Sequence, residues 1–478
     1  TLAEQYRRFY GEDLWEFLHL LVEDGEGYSL FRYKFWQMIS RLMFESYTMQ
    51  IANWCEDNNL ILTGHFGAED GLCGQVSSNG GVMTQYTAMQ MPGIDYLGNR
   101  LTSPVLMKQL SSVARQMNKP YTLSETFGCS GWSVSFSQLA WIWGFQSALG
   151  VTTPCLHLSP LSIKGRRKRD YPAFFSYHEP WWDQFPQFME WMNSLNQLMS
   201  EGKRVVDTLI VSPLYSVMAE FDTSARSKGD MSHYSGQFRL LNEHLLDIQL
   251  DYEIGDEAIL EEYGKVEDGQ LKVGESRYST VFVSECMSIS KSTHSLLCQL
   301  IEQGGRVFFV GRKPSLIDML PASKPKDLFA PIIPNRRELI ERWVKYSNIL
   351  RYAQVIRTDD AKLLHGVIVH TRKLSQGYRV HIWTDSDIQG ANAALLISDH
   401  VLARMVDPQT KAQRMQPSYF MEDKTVIPIK LTPKANYIFD IQPTNVDGVE
   451  SAHLIQKRRI SDAEISILHD NCLTIDQG

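Results

Sequence analysis

The chain has 478 residues, 43% hydrophobic and 21% charged, with a formal net charge of −8. That length exceeds what one hydrophobic core fills, and that composition excludes a disordered or fibrous chain. The negative charge is spread along the sequence, no basic domain stands out, and no apolar run reaches the roughly 18 residues of a bilayer span, so neither nucleic acid nor a membrane is an expected partner.

The first segment, Thr1 to Tyr10, reads as helical and opens with neither an initiator Met nor a signal peptide. Apolar Phe31, Phe35, Met38, Leu42, Met49 and Trp54 then recur at helical spacing and predict one long amphipathic helix over Tyr28 to Asp57. A short apolar run, Leu60 to Thr63, follows and stops at Gly64 and His65. The rhythm repeats with a run about Met89 to Leu97, a helix Pro104 to Met117, a strand Tyr121 to Ser124, a helix Phe136 to Leu149 and a strand Thr152 to Leu158. The strands are short and largely apolar on both faces, as a buried parallel sheet requires. Four such units fit half of a (β/α)8 barrel or a small doubly wound sheet. The polar residues favour the barrel: His65, Glu69, Asp70, Asp95, Glu125 and His157 lie at or just beyond C-terminal strand ends, where barrels assemble active sites, and no GxGxxG opens a helix.

A second αβ region follows, with strands Val205 to Val211, Thr280 to Ser284 and Arg306 to Gly311 and helices about Phe238 to Asp247 and Ser292 to Gln303, and it predicts a small flavodoxin-like sheet. The Pro- and Lys-rich stretch Pro321 to Pro334 reads as a linker or long surface loop. A helix Arg337 to Tyr346 leads into alternating strands at Gly366 to His370, Tyr378 to Trp383, Val426 to Leu431 and Tyr437 to Ile441, which predict a β-sandwich, while the last thirty or so residues show weaker periodicity. The expected division is therefore 1–203, 204–320 and 321–478. Seven scattered cysteines without CxxC spacing argue against a disulfide framework and a structural zinc site, and point to a reducing, cytoplasmic setting, with secretion left open by the unseen N-terminus.

The segment LSETFGCSGW places Glu125 where a buried strand opens into a small-residue loop, with Trp132 available as a sugar-stacking wall or as core. Hydrolysis of a glycosidic bond needs two carboxyl groups. Glu69, or its neighbour Asp70, is the candidate for the second, in a loop with His65 whose three polar residues are otherwise sugar or metal ligands or ordinary polar loop residues. Asp95 suits a hydroxyl hydrogen bond, and His157 is a ligand by its position or a satisfied core histidine. The basic run ending in Arg169 and Asp170 closes a site or stays solvated, and Trp181 lines the site mouth or packs under the next helix. No GxSxG, HExxH or P-loop motif supports another chemistry.

The runs TGHFGAEDG, PGIDYLG, LSETFGCSGW, GRRKRDYP and PWWDQF together resemble large bacterial glycosyl hydrolases related to the α-L-rhamnosidases of glycoside hydrolase family 106. The resemblance covers about Leu2 to Glu220 closely and the later regions loosely. It implies a (β/α)8 catalytic barrel, a flavodoxin-like domain and β-sandwich modules, with the four strands here standing as the fifth to eighth and strands one to four missing. Glu125 then falls at the end of the seventh strand, as a nucleophile or, in the family's inverting, calcium-assisted chemistry, as general base or acid. A calcium ion is the one candidate cofactor. The expected function is an exo-acting glycosidase, or a fragment of one, removing terminal sugars from plant-type or other complex glycans through paired carboxylates. The alternative is a non-catalytic carbohydrate-binding or scaffold protein derived from such a barrel.

Overall fold

Local chemistry fixes where the first helices begin and end. Leu2–Tyr10 starts at a reciprocal capping box between Thr1 and Glu4 and stops at Gly11, whose φ of 74° lets the chain turn out of the helix. The computed structural model describes residues 1–223, 232–321, 330–388 and 391–444, and the backbone of the strands Ala463–Leu468 and Cys472–Gln477. Most of the weakly periodic C-terminal stretch thus lies outside the described residues. The single helix predicted over Tyr28 to Asp57 is Tyr28–Met43 and Met49–Asp57, joined by a π-helical turn at Phe44–Thr48.

Four parallel strands follow: β1 (Thr63–Gly64), β2 (Met91–Tyr96), β3 (Leu123–Thr126) and β4 (Thr153–Leu156). Their order in the sheet is their order in the chain. A sheet that advances strand by strand is a singly wound arc, whereas a doubly wound sheet reverses direction. β3 begins two residues later than predicted: Pro120 has no N–H to offer a ladder and Tyr121 is exposed. Glu125 therefore lies inside its strand. Burial alternates along β3, with Ser124 and Thr126 sealed and Leu123 and Glu125 half-exposed. Helix Phe136–Ala148 covers the sealed face, where Gln146 Nε2 donates to Thr126 Oγ1 at 2.9 Å. The other face is open.

The second region holds a five-stranded parallel sheet, in spatial order Ile332–Ile333, Arg306–Val310, Thr280–Ser284, Thr208–Val211 and Glu253–Gly255. Counted along the chain the order is 2-1-3-4-5, a doubly wound arrangement. Two expectations are corrected. The strand predicted from Val205 is confined to Thr208–Val211, and the preceding Lys203–Arg204 pairs with Val367–Lys373 instead. Ile332–Ile333, inside the predicted linker, is an edge strand, and the following helix Arg337–Tyr346 sets Trp343 against Phe308 at 6.0 Å, so this layer continues past residue 320. An unpredicted antiparallel meander, Gly264–Glu267, Gln270–Val273 and Ser276–Tyr278, extends from it.

Beyond residue 352 a four-stranded antiparallel sheet faces a six-stranded one, whose edge strand is Lys203–Arg204 and whose other five strands also lie beyond residue 352. Val355, Leu395 and Ile427 from one and Val380, Ile382 and Phe439 from the other share a core. Two contacts tie the regions together. The Asp251 carboxylate accepts from buried Lys108 of helix Val105–Gln116 and, on both oxygens, from Arg204. Trp141 and Trp383 stack with centroids 5.8 Å apart and planes 17° off parallel, and each indole N–H donates to a carbonyl beside the other ring, those of Thr384 and Trp141. No described helix is long and apolar enough to cross a membrane, and no disulfide forms among the described residues.

Candidate active site

The strand register builds the site. Asp95, Glu125 and Cys155 are lateral partners on β2, β3 and β4, so their side chains form one row on the open face. His65 follows β1 and His157 follows β4, which brings two imidazoles to Glu125 from either side. His65 Nε2 stands 3.0 Å from Glu125 Oε2, and its Nδ1 is 3.3 Å from the Phe66 carbonyl. Both ring nitrogens thus face acceptors, which only the doubly protonated ring satisfies. Burial pulls the His65 pKa down, but the Phe66 carbonyl and the carboxylates of Glu69, Asp95 and Glu125 outweigh it and leave it above the ordinary value. His157 Nε2 lies 3.7 Å from Glu125 Oε1, beyond hydrogen-bond range.

Asp95 is raised above the usual carboxylate range by burial and by Glu125, against the pull of His65 and His157. Its Oδ1 is buried with no hydrogen-bond partner, as is His157 Nδ1. Glu69 lies beneath the row. Its Oε1 accepts from Phe66 N at 2.8 Å and Tyr86 Oη at 2.7 Å, its Oε2 accepts from Asp95 N at 3.1 Å, and it is 3% exposed. Burial pushes it up to about 7. Both oxygens of Glu69, expected as the second catalytic acid, are thus engaged in clamping its own loop to β2.

The loop after β3 is held in an unusual backbone course. Phe127 (φ 74°), Cys129 (φ 60°) and Gly131 (φ 85°) are all left-handed, and the two non-glycine residues carry strain on the order of 1–2 kcal/mol each. Its bonds explain the persistence: Gly98 N donates to Gly128 O at 2.6 Å, Ser130 Oγ to Phe127 O at 2.5 Å and Gly131 N to Pro172 O at 2.8 Å. Gly128 cannot carry a side chain here, since a Cβ would stand 2.5 Å from His157 Cγ. The basic run forms the exposed turn Gly165–Arg169 beside this loop, where Lys168 O accepts from Trp132 Nε1 at 2.9 Å and Tyr171 sets its ring edge-on to His157 at 5.5 Å.

The structure thus gathers His65, Asp95, Glu125 and His157, while Trp132 is exposed and packs edge-on to Phe174. Arg169, Asp170 and Asp70 are exposed and make no hydrogen bond or ion pair to the gathered side chains among the described residues. Trp181 lies against Phe136, Phe175 and Phe185 at 5.2, 5.9 and 5.6 Å, in the aromatic layer that seats helix Phe185–Ser200. Gly128, Tyr171 and Cys155 were not singled out from sequence. Aligning β3 with β4 would have found Cys155; for Tyr171 there was no signal.

No protein-family model and no curated protein sequence matches the chain. Solved structures do. A rhamnosidase from Novosphingobium sp. PP1Y superposes with a TM-score of 0.71 at 14% identity, covering 93% of this chain and 43% of its own. The exo-carrageenase GH42 from Bacteroides ovatus gives 0.64 at 11% over 93% of this chain and 62% of its own, and Gan42B, a GH42 beta-galactosidase, gives 0.63 at 11% over 93% and 75%. The fold is glycosidase-like. The chain spans less than two thirds of the length of the first two of these structures.

On this glycosidase-like frame the donor atoms of His65, Asp95 and Glu125 lie within 4.8 Å of one another, close enough to share a metal ion. Calcium takes about six to eight oxygen ligands. Two carboxylates and one imidazole nitrogen fit it poorly, so the expected calcium ion finds no matching donor set in this row. What the row offers without a metal is a carboxylate steered by an imidazole whose pKa is raised, beside a carboxyl that keeps its proton more readily than usual.

Proposed function

We propose that β1 to β4 and their helices form the C-terminal part of a (β/α)8 catalytic barrel, followed by a flavodoxin-like layer and a β-sandwich, and that Glu125 acts directly in hydrolysis of a terminal glycosidic bond. The observation that carries this is the placement of Glu125 on the open sheet face, between His65 and His157 and beside Asp95. The two carboxyls of a glycosidase stand on opposite sides of the scissile bond. Asp95 and Glu125 are lateral neighbours, so they make one wall of the site, and the opposing carboxyl comes from the strands that complete the barrel.

In this reading Glu125 is the proton acceptor or nucleophile, with one oxygen steered by His65 and the other facing His157. Asp95 donates to a sugar hydroxyl, and Glu69 is a positioning residue that fixes the Asp95 backbone. An α-L-rhamnoside is the first substrate to test, supported by the likeness to a rhamnosidase and by the motif resemblance. Glu125→Gln in the intact protein should lower kcat on an aryl α-L-rhamnoside by a factor on the order of 10³ while the near-ultraviolet circular dichroism is unchanged. Near wild-type turnover by a folded variant would refute the role of Glu125. Turnover of an aryl β-galactoside in place of the rhamnoside would keep that role and change the sugar.

A further inference from the structure

At the opposite end of the four-stranded sheet from Glu125 lies a cavity of about 400 Å³. Its walls are the end of helix Val105–Gln116, the loops entering β3 and β4, the turn at Glu275 and the strand residues Lys203 and Arg372, so all three regions of the fold contribute. Five cations line it, Arg115, Lys119, Lys203, Arg204 and Arg372, against the single acid Glu275. Two are already matched, Arg115 by Glu253 at 2.8 Å and Arg204 by Asp251 at 2.6 Å. Lys119, Lys203 and Arg372 have no carboxylate at ion-pair distance among the described residues. A pocket that keeps surplus positive charge in a chain of net charge −8 is not a by-product of a basic surface.

Arg372 shows the imbalance most directly. Its Nε donates to Glu201 O at 2.6 Å and one Nη to Gly202 O at 2.8 Å and Ser200 O at 3.3 Å, closing the end of helix Phe185–Ser200, so its hydrogen bonds go to carbonyl dipoles and not to a carboxylate. Burial, then Arg204, Arg115 and Arg379, outweigh the pull of the Glu201 carboxylate and push it down to about 10, and burial lowers Lys119 as well. Cations held this way are relieved by an anion that several of them can share. Tyr121, 54% exposed on the cavity wall, adds an aromatic face.

We propose that this cavity binds a small multivalent oxyanion, a phosphate or sulfate group, through Lys119, Lys203 and Arg372. The bound anion would bridge the sheet end, through Lys119, and the sandwich sheet, through Lys203 and Arg372, and so stabilise their assembly.

Calorimetric titration and thermal unfolding with inorganic phosphate, inorganic sulfate, glucose 6-phosphate and glucose, each against sodium chloride of matched ionic strength, test this. Either inorganic anion or glucose 6-phosphate should bind saturably and raise Tm, and glucose should do neither. Tighter binding of the sugar ester than of inorganic phosphate would identify an oxyanion carried on a sugar, and equal binding a free one; both support the site. The doubly substituted Lys119→Gln/Lys203→Gln, which removes no side-chain hydrogen bond or ion pair among the described residues, should bind about tenfold more weakly, with Arg372→Lys as a second variant that keeps the helix-end cation. No saturable binding of any oxyanion by the wild type, an equal response to chloride, or undiminished binding by the double variant would overturn the proposal.

Discussion

At the scale of single residues, the sequence exposes the chemistry and conceals its orientation. His65, Asp95, Glu125 and His157 stand out because acids and histidines at strand ends are costly unless used or paired, and the structure gathers these four on one face. Glu69 stood out for the same reason but is sealed under the row, because which way a loop carboxyl turns depends on Tyr86 and the Asp95 N–H, both distant in sequence. Gly128 went unremarked, since its importance is the absence of a Cβ against a histidine that arrives from the next strand. Gly128→Ala should push the His157 ring off Glu125 and lower kcat/KM by about 10- to 100-fold with the fold retained. Unchanged kcat/KM on the same glycoside would show that the His157 position does not matter to turnover.

At the scale of elements, long apolar periodicity was legible and short polar strands were not. The helices predicted over Pro104 to Met117 and Phe136 to Leu149 appear as Val105–Gln116 and Phe136–Ala148. The meander from Gly264 to Tyr278 was invisible because its strands run three or four residues and mix lysine, glutamate and arginine with few apolar residues. Buried acids hold such short elements in place. Glu257 opens helix Glu257–Tyr263 and accepts from Ser290 N at 2.6 Å, the capping residue of helix Lys291–Glu302. Burial raises its pKa from 4.5 to about 7, so across that interval the folded protein keeps a proton that the unfolded chain releases. Its contribution to stability is complete below the unfolded value and is lost as pH rises through 7. Glu257→Gln keeps the acceptor without the proton. Its urea midpoint should therefore gain on wild type steadily between pH 4.5 and 7, and a difference that stays flat with pH would contradict the assignment.

At the scale of the whole molecule, strand order separates the two parallel sheets more clearly than composition can, because both read from sequence as alternating helix and strand. Only pairing shows that one advances in chain order and the other reverses. The joint between regions was equally hidden: Lys108, Arg204 and Asp251 come from three separate stretches and meet in the interior. Asp251→Asn would leave Lys108, fully buried, and Arg204 without their shared counter-charge and should cost about 3–5 kcal/mol in urea unfolding, part of it recovered by adding Lys108→Met. An unchanged midpoint would mean that the joint is dispensable. The stacked indoles of Trp141 and Trp383 join the same assembly from the sandwich side, one ring on a helix that covers the four-stranded sheet and the other on a sandwich strand. Two near-parallel chromophores at that separation couple their transitions, so the docked molecule should show a far-ultraviolet exciton couplet that vanishes when the sandwich swings away, even if neither part unfolds. The protein thereby carries an optical gauge of its own assembly that needs no label.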